Sequence, residues 1–475
     1  MYEMPFPCLS HLENQTTNPV LLQDKAHGTA HSCIIWKKEF TIEAVLQMTI
    51  HIVQPGDTVW KIAQIYGASP NRIISDNAID NPRDLVIGQA LLVLVPETVY
   101  TIRPGDTLSS ISQALSVPVL TLLQNNPSLI DQPTLIPGQT IAVSFQGEKQ
   151  REIAVNAYAY PNIRRDLLRR TLPYLTYLTI FGYGFTLDGN LIPIDDQPLI
   201  NLAYEYKAAP VMLLSSITED GAFSGERASR LFQSKELQSR LFDRIIPLMI
   251  EKGYLGMDMD FEYINPSDRG AYLSFLSYAA QRLHANGFFL NTDLAPKTSS
   301  VQRGLLYEAH DYASIGAISD TVLLMTYEWG YTYGPPMAVA PINRVREVVE
   351  YAVFQIPADK ILMGIPNYGY DWALPYERDT TRAVTIGNQY AIEVAGREGA
   401  QIQFDPTAQT PFFEYWDNRK RKHVVWFEDV RSIQAKFDLM DEYSLYGAGY
   451  WNAMRPFAQN WAYLNARYDI RKIVT

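Results

Sequence analysis

Cysteine is nearly missing from this chain. Its 475 residues hold only two, Cys8 and Cys33, and both precede every segment with a folded pattern, so no disulfide framework organises the protein. The seven histidines are scattered, none sits at i, i+4 beside a glutamate, and no Cys/His spacing for zinc occurs; no metal and no cofactor are expected. There is no apolar run of about eighteen residues, so no membrane span is expected. Positive charge is in deficit too. The net charge of −11 argues against a nucleic-acid partner or an anionic membrane surface, since both are bound through clustered Lys and Arg. A neutral polymer is compatible with it. The chain start, Met1-Tyr2-Glu3-Met4-Pro5, has neither a basic n-region nor an apolar h-region, so no secretory signal is visible. Residues 1–47 carry no clear periodicity, and Met48 stands just before the first organised segment. They are expected to be a disordered extension or a mis-annotated start, with Met48 the true initiator.

What is present begins with a repeat. Ile50-His51-Ile52-Val53-Gln54-Pro55-Gly56-Asp57-Thr58 returns as Val99-Tyr100-Thr101-Ile102-Arg103-Pro104-Gly105-Asp106-Thr107. Further on, Asn77 matches Asn126, and Ile87-Gly88-Gln89 matches Pro137-Gly138-Gln139. Such self-similarity means two copies of one small unit, here 48–96 and 97–145. Each reads strand, turn, two short helices, strand. Pro-Gly-Asp makes the turn, and Asp57 or Thr58 can cap the free N–H groups of the helix behind it. Val59, Ile62, Ala63 and Tyr66 fall at helical spacing.

The second feature is a strand with three acids, Gly253-Tyr254-Leu255-Gly256-Met257-Asp258-Met259-Asp260-Phe261-Glu262-Tyr263. Strand side chains alternate faces, which puts Asp258, Asp260 and Glu262 on one face and Met257, Met259 and Phe261 on the other. At about 6 Å and an effective dielectric near 20, two such charges repel by about 3 kcal/mol, or about two pKa units. Some of these carboxyls must hold a proton near neutral pH, as an acid that expels a poor leaving group requires. An exposed edge strand would not need a core for the methionines and phenylalanine opposite.

Beyond a polar stretch at 146–151, apolar strand-like runs alternate with helical segments: 153–159, 178–183, 211–215, 255–262, 288–294, 321–327, 361–366 and 448–451. Eight strands with intervening helices predict a (β/α)8 barrel over 152–475, with chemistry at the C-terminal strand ends. Residues 380–435 exceed an ordinary connection, so a small insertion is expected between strands seven and eight.

The repeats resemble the LysM module, a βααβ domain that binds polymers of N-acetylglucosamine. The resemblance implies grooves at Gly56, Asp57, Thr58 and Asn77 in the first copy, and at Gly105, Asp106, Thr107 and Asn126 in the second; the same residues could equally serve only as turn and cap chemistry. Two weak sites in tandem raise effective concentration on a repeating polymer, so the first third is expected to act as a separate anchor. The acid strand resembles the Asp-x-x-Asp-x-Asp-x-Glu signature of glycoside hydrolase family 18. Met325-Thr326-Tyr327-Glu328, Gly364-Ile365-Pro366-Asn367-Tyr368-Gly369 and Tyr450-Trp451 resemble its motifs at the ends of strands six, seven and eight.

The family implies roles. Glu262 would be the general acid and later the base, Asp260 would hold the substrate's 2-acetamido group, and Asp258 would share a proton with Asp260. Tyr327 would bond the acetamido oxygen, and Trp451 would floor the sugar ring, with Glu328 and Tyr368 as further substrate contacts. No second carboxylate faces Glu262 from this strand; in the family the acetamido oxygen is itself the nucleophile. Trp329, Tyr331 and Trp372 follow strand ends and are candidate groove linings. Asp293 is either functional or paired with Lys297, and is left outside the site. Three departures stand out: Leu255 replaces the signature's first acid, removing a relay partner; Glu328 replaces the usual Asp or Asn; and Ser215-Ser216-Ile217 matches the strand-three motif only in part.

Both halves point to an N-acetylglucosamine glycan as partner. With no visible signal, the pairing looks like the spore-associated N-acetylglucosaminidases, which implies a monomer acting on peptidoglycan, in the spore coat or cortex or the cell wall. Chitin is the alternative substrate, and a non-catalytic wall-binding lectin the alternative of another class.

Overall fold

The computed structural model describes residues 48–474 apart from Pro133; the expectation for residues 1–47 lies outside them. The first module pairs Met48–Ile52 antiparallel with Ala90–Leu94 around the helices Val59–Tyr66 and Pro70–Asp76. In the second, Pro96–Thr101 pairs with Thr140–Phe145 around Leu108–Leu115 and Val119–Asn125. The repeated turn forms for the expected reason. Gly56 and Gly105 adopt φ of +84° and +90°, open to glycine without strain. The Asp57 carboxylate accepts from the Gln54 N–H at 2.8 Å, and Thr58 caps the helix through the Lys61 N–H at 3.2 Å. Thr107 and Ser110 form a reciprocal capping box.

Asn77 and Asn126 take the same place in each copy. Asn77 donates to the carbonyls of Ile73 and Leu92 at 2.8 and 2.7 Å and accepts from the Leu92 N–H at 2.7 Å. Asn126 does likewise with Leu122 and Ala142. Both are buried, and both hydrogens and one acceptor site of each amide are spent clamping helix to strand. Both amides thus work within the fold, while Asn77 also borders a cavity lined by Ala78 to Asn81 and by the insertion's Gln389 and Glu393.

Eight parallel strands, Glu152–Ala159, Tyr177–Phe185, Ala209–Ser215, Gly256–Asp260, Phe289–Leu294, Thr321–Leu324, Ile361–Pro366 and Gly447–Trp451, pair in sequence order, and the eighth closes on the first. This is the (β/α)8 barrel. The insertion between strands seven and eight is a five-stranded antiparallel sheet with one helix, Asn388–Arg397. It starts at Gly369, directly after strand seven, and its last strand ends at Trp426, so it begins before 380.

The modules do not hang from a loose tether. Ala90, Leu92 and Leu94 are buried in the same hydrophobic cluster as the barrel residues. Gln459, on the barrel helix Ala458–Arg467, donates to Asn77 Oδ1 and to the Ala90 carbonyl, both at 2.7 Å. Asn465 reaches Asn125 at 2.8 Å, Gln124 reaches the Pro173 carbonyl at 2.8 Å, and the insertion's Ile402 N–H reaches the Ile87 carbonyl at 3.0 Å. A separable anchor would keep its polar groups in water; here they are satisfied across the junction.

Candidate active site

The barrel puts the acids where alternation predicts. Met257, Met259 and Phe261 point outward into the core beneath the helices, where the Phe261 ring meets Phe232 at 5.3 Å and Phe275 at 5.9 Å. Asp258 and Asp260 turn into the barrel, fully buried. Strand four ends at Asp260, so Glu262 stands just above the barrel's rim, half-buried. Register sets the neighbours: Asp258 lies level with Leu213 on strand three and Asn291 on strand five, and Asp260 with Ser215. The Ser215 hydroxyl donates to the Asp260 carbonyl at 2.5 Å. The partly matching strand-three motif thus ties down the end of the catalytic strand.

Leu255 shares the outward parity of Met257 and packs against the hydrophobic core. An acid there would point away from Asp258, so its replacement removes no contact from the cluster. That corrects the expected loss of a relay partner.

Burial and mutual repulsion move these groups together. Burial pushes Asp258 up to about 6, even though Asn291 donates to its Oδ1 at 2.7 Å and Tyr158 to its Oδ2 at 2.9 Å. Asp260 goes well above the carboxylate range, through burial and then the charges of Glu262 and Asp258. Its Oδ1 has no hydrogen-bond partner among the described residues, an acceptor left open in a buried site. Glu262 is raised by burial and then by Glu328, so it holds a proton to higher pH than an ordinary glutamate.

Tyr327 is buried, and its hydroxyl is pushed well up by burial, then by Asp293, Asp260, Glu262 and Glu328, which puts it among all four acids. Its position depends on Gly364: a Cβ there would lie 2.3 Å from the Leu324 carbonyl oxygen and 2.8 Å from the Tyr327 ring. Glu328 is exposed, with φ at +66°, and such left-handed non-glycine residues gather at functional sites. The Tyr368 hydroxyl donates to Glu328, and the Tyr370 hydroxyl lies 3.0 and 3.2 Å from its two oxygens. Trp451 is half-buried at the end of strand eight, ringed by Tyr158, Tyr160 and Phe181 with centroids 5.3 to 6.1 Å away.

Other sequence candidates separate. Trp329 is half-buried and Tyr331 exposed near the mouth, whereas Trp372 is fully buried and donates to the Gly334 carbonyl at 2.9 Å, so it is core, not groove. Asp293 is not paired with Lys297, whose ammonium donates to the His310 carbonyl at 3.0 Å. It points into the acid cluster instead, with Tyr158 at 2.7 Å. The signal that could have found it is parity: Asn291 and Asp293 alternate on strand five as Asp258 and Asp260 do on strand four.

The site is thus a half-buried glutamic acid above a tier of buried carboxyls, bordered by tyrosines and one indole. It can deliver a proton to a bridging oxygen and stabilise positive charge beneath it.

Comparison with known proteins gives the family and its relatives. The family described as Glycosyl hydrolases family 18 matches residues 176–455, and the LysM domain matches 51–93 and 100–144. Over 433 residues the chain is 40% identical to the cortical fragment-lytic enzyme of Bacillus subtilis (strain 168), covering 90% of this chain and 99% of that protein. The crystal structure of the Bacillus cereus spore cortex-lytic enzyme SleL superposes with a TM-score of 0.76 at 38% identity, over 90% of this chain and 99% of that one. A chitinase from Chromobacterium violaceum, 24% identical with a TM-score of 0.61 over 66% of this chain, shares the fold.

Proposed function

We propose that this chain, which belongs to the glycosyl hydrolases of family 18, cleaves the β-1,4 bond that follows N-acetylglucosamine in spore-cortex peptidoglycan. The observation that carries the reading is the pairing of a proton-retaining Glu262 with the open, buried Oδ1 of Asp260 below it. Glu262 donates its proton to the leaving oxygen. Asp260 receives the acetamido N–H and orients the carbonyl oxygen toward the anomeric carbon, while Tyr327 bonds that oxygen. Asp258 takes up the share of the proton that Asp260 gives away as charge develops. The attacking oxygen is the substrate's own, so an oxazolinium forms and the stereochemistry is retained. Water, activated by Glu262 as base, then opens it. Glu328 is not the nucleophile in this scheme, because Tyr368 and Tyr370 occupy its oxygens. Trp451 supplies the platform, with Glu328 and Tyr368 at the leaving side.

The substrate choice rests on the cortical enzymes named above, which resemble this chain along nearly their whole length. Placement in the spore cortex, the coat or the wall goes with that substrate. The site is complete within one chain, so a monomer suffices for this reaction. In the LysM turns, Asp57, Thr58, Asp106 and Thr107 already bond within the fold, so glycan contact there would fall to the backbone around Gly56 and Gly105.

Two measurements test this. Glu262→Gln lowers kcat by about 10²- to 10⁴-fold, the range for a lost general acid, with glycan binding retained; unchanged release of reducing ends removes the assignment. Mass spectrometry of products from cortex fragments, vegetative peptidoglycan and chitin oligomers should show preference for cortex, and a preference for chitin overturns the substrate. N-deacetylated substrate should resist cleavage, since it lacks the nucleophile.

A further inference from the structure

One buried acid has no part in the scheme above. Asp293, at the end of strand five, is 3% exposed. The Tyr158 hydroxyl lies 2.7 Å from Asp293 Oδ1 and 2.9 Å from Asp258 Oδ2. A tyrosine has one hydroxyl hydrogen and can give it to only one of two carboxylates. The second short O···O contact is attractive only if a carboxyl supplies its hydrogen. The donors show which carboxyl supplies it. Thr321 donates to Asn291 Oδ1 at 2.8 Å, which turns the Asn291 amide nitrogen toward the acids. That nitrogen is 2.7 Å from Asp258 Oδ1 but 3.2 Å from Asp293 Oδ1. Thr179, 3.5 Å from Asp258, spends its one hydroxyl hydrogen on Asn156 Oδ1 at 3.0 Å. Asp258 is the better-supplied anion.

We propose that Asp293 is a positioning residue for this reaction: its carboxyl remains protonated and donates into the Tyr158–Asp258 pair, fixing the charge of Asp258 beneath Asp260. The proposal rests on the family 18 reading of the site. Charge balance agrees with it. Burial, then the charges of Asp258 and Asp260, hold Asp293 well above the carboxylate range, whereas Asp258 reaches only about 6. The other ionisable groups facing this acid are Tyr158 from strand one, Tyr272 from the helix after strand four, and Tyr327 from the end of strand six. All three are phenols made harder to ionise by burial, so none supplies a counter-charge. With Asp293 neutral, the resting tier carries one negative charge, at Asp258, and the proton of Asp260 is free to pass to it when the acetamido group becomes cationic.

The test compares Asp293→Asn with Asp293→Ala in the full chain. Asparagine mimics the neutral acid and keeps a donor; alanine removes it. With soluble cortex fragments from pH 4 to 9, Asp293→Asn should keep kcat within about twofold. Asp293→Ala should move the acidic limb of the kcat profile up by about one pH unit, because Asp258 loses a donor that favours its ionised form, and kcat on that limb falls about tenfold. A substrate-free readout separates this from the functional reading: at pH 7 the infrared absorption of protonated carboxyls should fall by one group's contribution in Asp293→Asn, that of Asp260 and Glu262 remaining. Should Asp293→Ala fail to fold, Tyr158→Phe, which breaks the same bridge, should shift the limb in the same direction. The proposal is overturned if that absorption does not fall, if the alanine variant keeps the wild-type profile, or if asparagine is as damaging as alanine.

Discussion

Gly364→Ala is a one-methyl test of whether the acid tier needs Tyr327 where it stands. The added carbon would lie 2.3 Å from the Leu324 carbonyl oxygen, 2.8 Å from Tyr327 Cε1 and 3.0 Å from the Thr326 N–H. The first and third neighbours are backbone, held by pairing of strands six and seven and by the Thr326 hydroxyl, which donates to the Gly364 carbonyl at 2.7 Å. Relief to an ordinary contact of about 3.4 Å requires the end of strand six to move by about 1 Å, and it carries Tyr327 and Glu328 with it. Overpacking of this kind costs about 1–3 kcal/mol of stability, and a shift of about 1 Å at a catalytic group costs about 100-fold in rate. The assay is kcat on soluble fragments beside thermal unfolding. The expected result is a fall in kcat of about two orders of magnitude in a protein that still folds. A variant with wild-type kcat and a melting temperature unchanged would show that the strand-six end yields freely and that Tyr327 has no demanding position to keep.

The buried acids should also leave a mark on stability. Asp258 is raised from 3.8 to about 6 in the folded protein, so between those values the native state binds more protons than the unfolded chain. Stability is then fully present below about pH 4 and lost as pH rises through 6, by about 3 kcal/mol from this group alone. Chemical denaturation at pH 5 and pH 8 should show the protein more stable at the lower value, and Asp258→Asn should abolish part of that difference while removing activity; equal stability at both pH values would refute the shift. Gln459→Ala should lower stability by about 2–4 kcal/mol, since it removes two buried hydrogen bonds at the module junction. Deleting 48–145 should impair barrel stability as well as adhesion, and a deletion variant that melts like the full chain would restore the picture of a detachable anchor.

Much of the architecture could be read from the chain because apolar strands announce themselves locally. All eight barrel strands, the repeat and the parity of Asp258 and Asp260 follow from spacing alone. What could not be read depends on contacts distant in sequence. Asn77 and Asn126 stand at matching places in a repeat, and a sequence cannot tell an amide facing a glycan from one folded back on two carbonyls. Asp293 gains meaning only when strand five is laid beside strand four in register. The start of the insertion is illegible because its first strand, Gly369–Ala373, continues straight from strand seven, and Trp372 there reads as a groove aromatic until the sheet closes over it. The docking of the modules is written in residues such as Gln459 and Asn465, polar positions on a helix that would otherwise pass for its solvated face.

The same tier of acids explains why the chemistry needs this fold. A carboxyl stays protonated at neutral pH only if water is kept from it, and a buried carboxylate is tolerated only if donors surround it. Strand four alone can supply the acids, but not both conditions. Exclusion of water comes from the barrel wall and from aromatic rings such as Tyr158, Phe181 and Trp451. The donors come from strands one and five through Tyr158 and Asn291. A peptide with the same acids on an open sheet would ionise them all above about pH 5 and have no proton left to give. Closing the barrel is therefore what turns three ordinary carboxyls into one donor, one open acceptor and one anion that can take up a proton.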